Sequence, residues 1–317
     1  MGLARFAWLP VLLACGGGPA EVEEQRSAAE ETAPAAPPFA IRMHRRVDIE
    51  RSDPTPVVMP TAPTARNTTA TTPELTDHGG RVVPTMHLYV LFWGTGFEQT
   101  TAALYASFLG GLGSSDWWAI DSQYLRGAAN HVSYVTSFTD TAHKPSPSVT
   151  DAAIQAEVAR VIAAGSLPYD ANGLYYVVTP KTTRVCTNGA CSCTSFCGYH
   201  SAFASTNGVV LYAAIPSAAA CPSACGVFAK DALSPNHNVE ADEGVSIMAH
   251  EAAETQSDAY GDAWFDGAGW ENGDKCAYQY GATTHAADGA PVNQAWGGKS
   301  WLVQMNWSNA VWACAQR

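Results

Sequence analysis

At 317 residues, 47% hydrophobic and 15% charged, the chain is long enough to bury the core of one large domain or two small ones. Its net charge of −12 excludes nucleic acid as a partner, because phosphate contacts need clustered Lys and Arg. Ten Trp and twelve Tyr are read as a rigid, aromatic-rich core.

The chain opens on a targeting pattern. Arg5 precedes an apolar run that ends Leu12-Leu13-Ala14-Cys15, too short to span a bilayer as a mature helix. It resembles a bacterial lipobox, so residues 1–15 are read as a lipoprotein-type signal peptide with lipidation at Cys15. The expected partner is a membrane, reached through that anchor. Asp does not follow Cys15, which points to the outer membrane or the cell surface. Residues 16–75 are rich in Ala, Glu, Pro and Thr with no structural period; they are expected to be a disordered linker holding the folded domain away from a surface.

Order is expected from Asp77-His78-Gly79-Gly80 onward. Four short apolar or alternating runs predict strands at 86–93, 132–138, 174–179 and 209–215. Helices are predicted at 98–109, at 151–164 with Thr150 as N-cap, and at about 240–256. The last has a stripe of Val245, Met248, Ala249, Ala252 and Ala253, suited to close packing on a sheet, and acids near its start that suit the helix dipole. Strand–helix alternation predicts an α/β fold: a mixed sheet with flanking helices, followed by a loop-rich C-terminal part. Trp117-Trp118 is read as a core corner, with sugar stacking as the alternative.

Nine cysteines less Cys15 leave Cys186, Cys191, Cys193, Cys197, Cys221, Cys225, Cys276 and Cys314. In an exported chain this even number predicts up to four disulfides, in preference to a zinc cluster from Cys191, Cys193, Cys221 and Cys225. It also disfavours a Cys197/His200 nucleophile. No G-x-S-x-G elbow occurs, and Gly94-Thr95-Gly96 lacks the third glycine of a dinucleotide loop.

The chemistry is concentrated in His250-Glu251-Ala252-Ala253-Glu254. This is H-E-x-x-E, one residue away from the zinc-peptidase signature. Positions i and i+4 share a helix face, so His250 and Glu254 are expected to bind one metal, with Glu251 as the general base that activates water. Asp258, one turn further on, is the expected third ligand. Glu271 and Asp274 in the following loop are further candidates, and His200 and His285 lie more distant in sequence. Zn2+ is the expected ion, with Ca2+ as the alternative because a Gly/Asp-rich acidic stretch suits a hard cation.

These pieces together resemble the EXORDIUM/phosphate-induced protein family over about residues 76–317. The matching stretches are Asp77-His78-Gly79-Gly80, Leu91-Phe92-Trp93-Gly94, the run 114–118 (SSDWW), Phe196-Cys197-Gly198-Tyr199-His200, Cys221-Pro222-Ser223-Ala224-Cys225, the run 234–239 (SPNHNV) and the late cysteines Cys276 and Cys314. The resemblance implies an extracellular or wall-associated protein without implying a reaction. Bacterial relatives look like this chain around the motif helix, including Trp264-Phe265-Asp266, Gly269-Trp270-Glu271 and Asp274-Lys275-Cys276. The order of elements before that helix also looks like the catalytic half of a zincin, by fold analogy. Two functions are therefore carried forward. One is an exported, membrane-tethered, metal-dependent hydrolase acting on peptides. The other is a non-catalytic envelope or wall-associated protein binding glycan or a protein partner.

Overall fold

The computed structural model describes residues 74–228 and 233–317, together with the backbone of Arg42–Arg45. All of these fall in one compact unit, Pro38–Arg317. The signal peptide, Cys15 and the rest of the 16–73 stretch lie outside the described residues.

The apolar runs become a six-stranded sheet: β1 (Arg42–Arg45), β2 (Thr85–Trp93), β3 (His131–Asp140), β4 (Gly173–Thr179), β5 (Phe196–Ser205) and β6 (Gly208–Pro216), in the spatial order β1-β5-β6-β4-β2-β3. The neighbours from β3 to β6 run parallel, as crossover connections require. The chain then turns back in a tight hairpin, so β5 lies antiparallel on β6, and β1 lies antiparallel on β5. The linker expectation is corrected at β1. Without it, β5 would present an open row of backbone donors and acceptors, and four residues of the stretch read as disordered supply the missing ladder. Leu75, at the other end of that stretch, is buried as well.

Among the described residues five α-helices accompany the sheet: α1 (Thr101–Leu112), α2 (Asp116–Ala119), α3 (Asp151–Ala163), α4 (Pro222–Cys225) and α5 (Val239–Ser257). The pleat of β2 sorts its side chains to two faces. Met86, Leu88, Val90 and Phe92 join the core formed with α1 and α5. Tyr89, Leu91 and Trp93 join the core formed with Ile154, Val158 and Val161 of α3. The molecule is thus a three-layer α/β sandwich, as the alternation of elements predicts. Thr150 caps α3 as expected, its side chain accepting from the Ala153 amide. Trp117 and Trp118 are core residues, each 1% exposed.

Beyond α5 the chain forms short two-stranded ladders and turns. The four disulfides are Cys186–Cys191, Cys193–Cys221, Cys197–Cys225 and Cys276–Cys314. The expected disulfide-stabilised C-terminal part is corrected in emphasis: one bridge ties it down, and three lie between residues 186 and 225. Two of those three strap α4 to the start of β5, because Cys193 and Cys197 are spaced like Cys221 and Cys225.

α5 is unusual in that all of its 19 residues are buried. Its N-terminal acids do not face water. Asn238 caps the helix through the Ala241 amide. Glu240 accepts from the Glu98 amide and from the hydroxyls of Thr101 and Ser217. Asp242 accepts from Asn236, and Glu243 from the amides of Val227 and Phe228.

Two predictions follow from this architecture. Joint Cys276→Ala/Cys314→Ala substitution opens a link with a sequence separation of 38, and urea titration should find about 4 kcal/mol lost by the chain-entropy relation. Burial pushes the Glu243 carboxyl from 4.5 up to about 8. A raised carboxyl pKa favours the folded state at low pH, and that contribution disappears as pH rises from about 4.5 to about 8. Glu243→Gln keeps an acceptor for the two amides. It should gain stability relative to wild type between pH 5 and pH 8; an unchanged difference across that window would refute the assignment.

Candidate metal centre

The H-E-x-x-E segment lies in the last three turns of α5, so its side chains project from a helix that is sealed all round. His250 and Glu254, at i and i+4, meet as expected, with Nε2 2.9 Å from Oε1. The other oxygen of Glu254 faces a strand. Its Oε2 lies 3.5 Å from Nε2 of His200 on β5, and His200 Nε2 lies 3.5 Å from Glu271 Oε2. On the first side, Asp274 Oδ1 stands 3.7 Å from His250 Nε2. Two groups with metal-binding spacing result, His250/Glu254/Asp274 and His200/Glu254/Glu271.

Asp258 joins neither group, which corrects the expected third ligand. Its Oδ1 accepts from the amides of Asp262 and Ala263, so this carboxylate closes the turn after α5. The helix stops at Ser257, and Asp258 leaves the helical face on which one more turn would have put it. His285 lies exposed on a short strand, Thr284–His285. His200, Glu271 and Asp274, read as outlying candidates, are the residues brought in. The signal available in the sequence for His200 was its place two residues after Gly198, since alternate strand positions share a face. A Cβ on Gly198 would approach Glu251 Oε1 to 2.7 Å and Ile247 Cγ2 to 2.6 Å. The missing side chain at 198 thus lets the strand carrying His200 close on α5.

The loop bearing Glu271 and Asp274 is held from several directions. The Asp274 amide donates to Glu254 Oε1 at 3.0 Å. Asn272 donates to Asp121 and to the Ala253 carbonyl. Lys275 pairs with Asp266 at 2.9 Å, both side chains being almost fully buried, and its ammonium sits over the Trp307 ring. Cys276 follows with its bridge to Cys314.

The electrostatics are those of carboxylates crowded out of water. His200, His250, Glu251, Glu254 and Glu271 are 0–1% exposed, and the Asp274 side chain is 8% exposed. Burial pushes the Glu251 carboxyl well above its ordinary range, and Glu254, Asp274 and Glu271 push it further. Asp274 is raised in the same way, by burial and then by Glu254. Burial lowers the His250 imidazole against the pull of Asp274, which leaves it as the neutral form that ligates metals. Both Glu251 oxygens and Asp274 Oδ1 have no hydrogen-bond partner among the described residues. Buried carboxylate oxygens in that condition are costly unless a cation or proton meets them. Two imidazoles and several carboxylates form a donor set suited to a divalent transition ion, so the residues present fit zinc.

Residues 75–315 match the model of the phosphate-induced protein 1 conserved region. The chain is 26% identical over 271 residues to Protein EXORDIUM-like 5 of Arabidopsis thaliana, covering 73% of each chain. It is 28% identical over 232 residues to Protein EXORDIUM-like 3 of the same plant, covering 63% of this chain and 68% of that one. No solved structure matches.

The close approach at Gly273 yields a prediction. A Cβ there would lie 2.9 Å from the His250 ring and 3.0 Å from Glu254 Oε1, while its backbone, at φ −69°, tolerates any residue. Gly273→Ala should therefore cost about 2 kcal/mol through overpacking alone and lower metal content. Gly267→Ala, with nothing near its Cβ, should change neither in parallel denaturation and elemental assays.

Proposed function

Because the chain belongs to the phosphate-induced protein 1 (EXORDIUM) family, we propose that it is a non-catalytic, exported cell-envelope protein that binds glycan, with the α5 cluster as a structural zinc centre. The observation that carries this reading is the burial of the cluster: His200, His250, Glu251, Glu254 and Glu271 are 0–1% exposed and the Asp274 side chain 8%. Structural zinc sites are closed, whereas catalytic ones keep a position open to water and substrate. The sheet edge beside the cluster is also taken, since β1 occupies the outer ladder of β5, where an extended peptide would otherwise add. The two imidazoles favour zinc over calcium, which prefers an all-oxygen shell.

In this reading four disulfides and a closed zinc site stiffen a domain for use outside the cytoplasm. The lipobox-like Cys15 would tether it to the outer membrane or cell surface. The glycan face is the open groove of about 580 Å³ lined by Ser114, Ser115, Asp116, Asn293, Gln294 and Trp296 among others. Hydroxyl, amide and aromatic groups side by side are the chemistry that recognises sugar rings.

One observation favours the hydrolase as a second reading. Glu251, adjacent to His250, is wholly buried, and neither of its oxygens has a hydrogen-bond partner among the described residues, as a general base awaiting a metal-bound water would be. It would act in a zincin-like arrangement of α5 and β5 once that side opened.

The test uses the oxidised full chain purified without added metal or chelator, beside Glu251→Gln. Removing metal with a strong chelator should lower Tm by about 5 to 10 °C, the range for one tightly bound ion in a domain of this size. Wall-glycan pull-down should persist in Glu251→Gln, and peptide hydrolysis should be no faster in wild type than in the variant. Hydrolysis present in wild type and lost in a metal-replete Glu251→Gln would replace the structural reading with the catalytic one.

A further inference from the structure

We infer that the α5 cluster is a two-cation centre in which the Glu254 carboxylate bridges two divalent ions, one held with His250 and Asp274 and the other with His200 and Glu271. This rests on the reading of the cluster as a cation centre and specifies its nuclearity.

The geometry is two-sided. Glu254 Oε1 faces His250 Nε2 at 2.9 Å and receives the Asp274 amide, while Oε2 faces His200 Nε2 at 3.5 Å. The two triads share Glu254 and nothing else. Among the described residues no single group contains both imidazoles, so one ion does not reach both sides. A carboxylate that offers one oxygen to each of two ions sets them about 3.5–4 Å apart, the usual spacing of two-metal sites.

Charge points the same way. Glu251, Glu254, Glu271 and Asp274 are four carboxylates in electrostatic contact with one another. The nearby Lys275 is engaged with Asp266. Carboxylates gathered out of contact with solvent need cations close to them, and the two triads offer one place for a cation on each side of Glu254. Asp274 Oδ1 adds an independent sign. It is more than nine-tenths buried, has no hydrogen-bond partner among the described residues, and stands 3.7 Å from His250 Nε2.

The full oxidised chain, stripped with chelator and reloaded with Zn2+, should carry two zinc per chain by native mass spectrometry. His200→Asn and His250→Asn should each carry one. The wild-type chain loaded with Mn2+ alone should give the exchange-coupled electron paramagnetic resonance spectrum of a bridged pair, a readout that needs no variant to fold. One zinc in wild type, with the isolated six-line Mn2+ signal, would overturn the bridged pair and leave a single-ion centre standing. Two zinc with uncoupled Mn2+ signals would overturn the bridge. No bound metal under any loading would overturn both the pair and the centre.

Discussion

A fully buried helix bearing Glu240, Asp242, Glu243, Glu251 and Glu254, with no Lys or Arg, is the constraint around which this molecule is arranged. Each carboxylate removed from water needs a compensating donor, proton or cation. Near the N-terminus of α5 the compensation is made of hydrogen bonds: main-chain amides from the 98 and 227–228 regions, hydroxyls of Thr101 and Ser217, and the Asn236 side chain. The positive end of the helix dipole helps there. At the C-terminal end the dipole reverses its help, and the surrounding groups are imidazoles and more carboxylates. The two ends of one helix thus surround their buried carboxylates with different chemistry, hydrogen-bond donors at the first and imidazoles at the second.

The elements around the C-terminal end are pre-positioned by forces independent of any ion. β5 is strapped to α4 through Cys197–Cys225 and Cys193–Cys221, and Gly198 lets it approach α5. The 266–276 loop is held by the Lys275–Asp266 pair, by Asn272 and by the Cys276–Cys314 bridge. A buried ion pair contributes little net stability, but it has one geometry, and here that geometry sets where Asp274 lies. Ligands held rigidly before binding lose little entropy on binding, which is how a crowded set of acids becomes a site rather than a source of strain.

Much of this was legible before the fold was known, and the reasons for what was not are specific. Strands β2, β4 and β6 announce themselves as bounded apolar runs, and α3 by its stripe and its Thr150 cap. The chemistry of His250, Glu251 and Glu254 follows from helical spacing alone. β5 carries a family motif but no strand signal, because Cys, Gly, His, Ser and Ala give it no alternation when both faces are buried. β1 lacked any apolar period, since an edge strand is specified by the ladder it completes rather than by a core face. Asp258 was expected in the site by extrapolating the helix one turn too far. Of the residues brought in instead, Glu271 and Asp274 come from a loop whose course depends on Cys276 with Cys314, Lys275 over Trp307 and Asn272 with Asp121, contacts long-range in sequence that no local pattern encodes.

The antiparallel reversal at β5 links the parts of the molecule. Had the chain continued as a parallel sheet, the strand after β4 would have needed a crossover helix on one face, and His200 would not stand directly over α5. Joined to β6 by a hairpin and antiparallel to it, β5 brings His200 over Glu254 without another layer. Its far edge is then left to pair with whatever segment arrives. Arg42–Arg45 does so from the N-terminal stretch, so the strand that carries His200 on its face is paired along both edges.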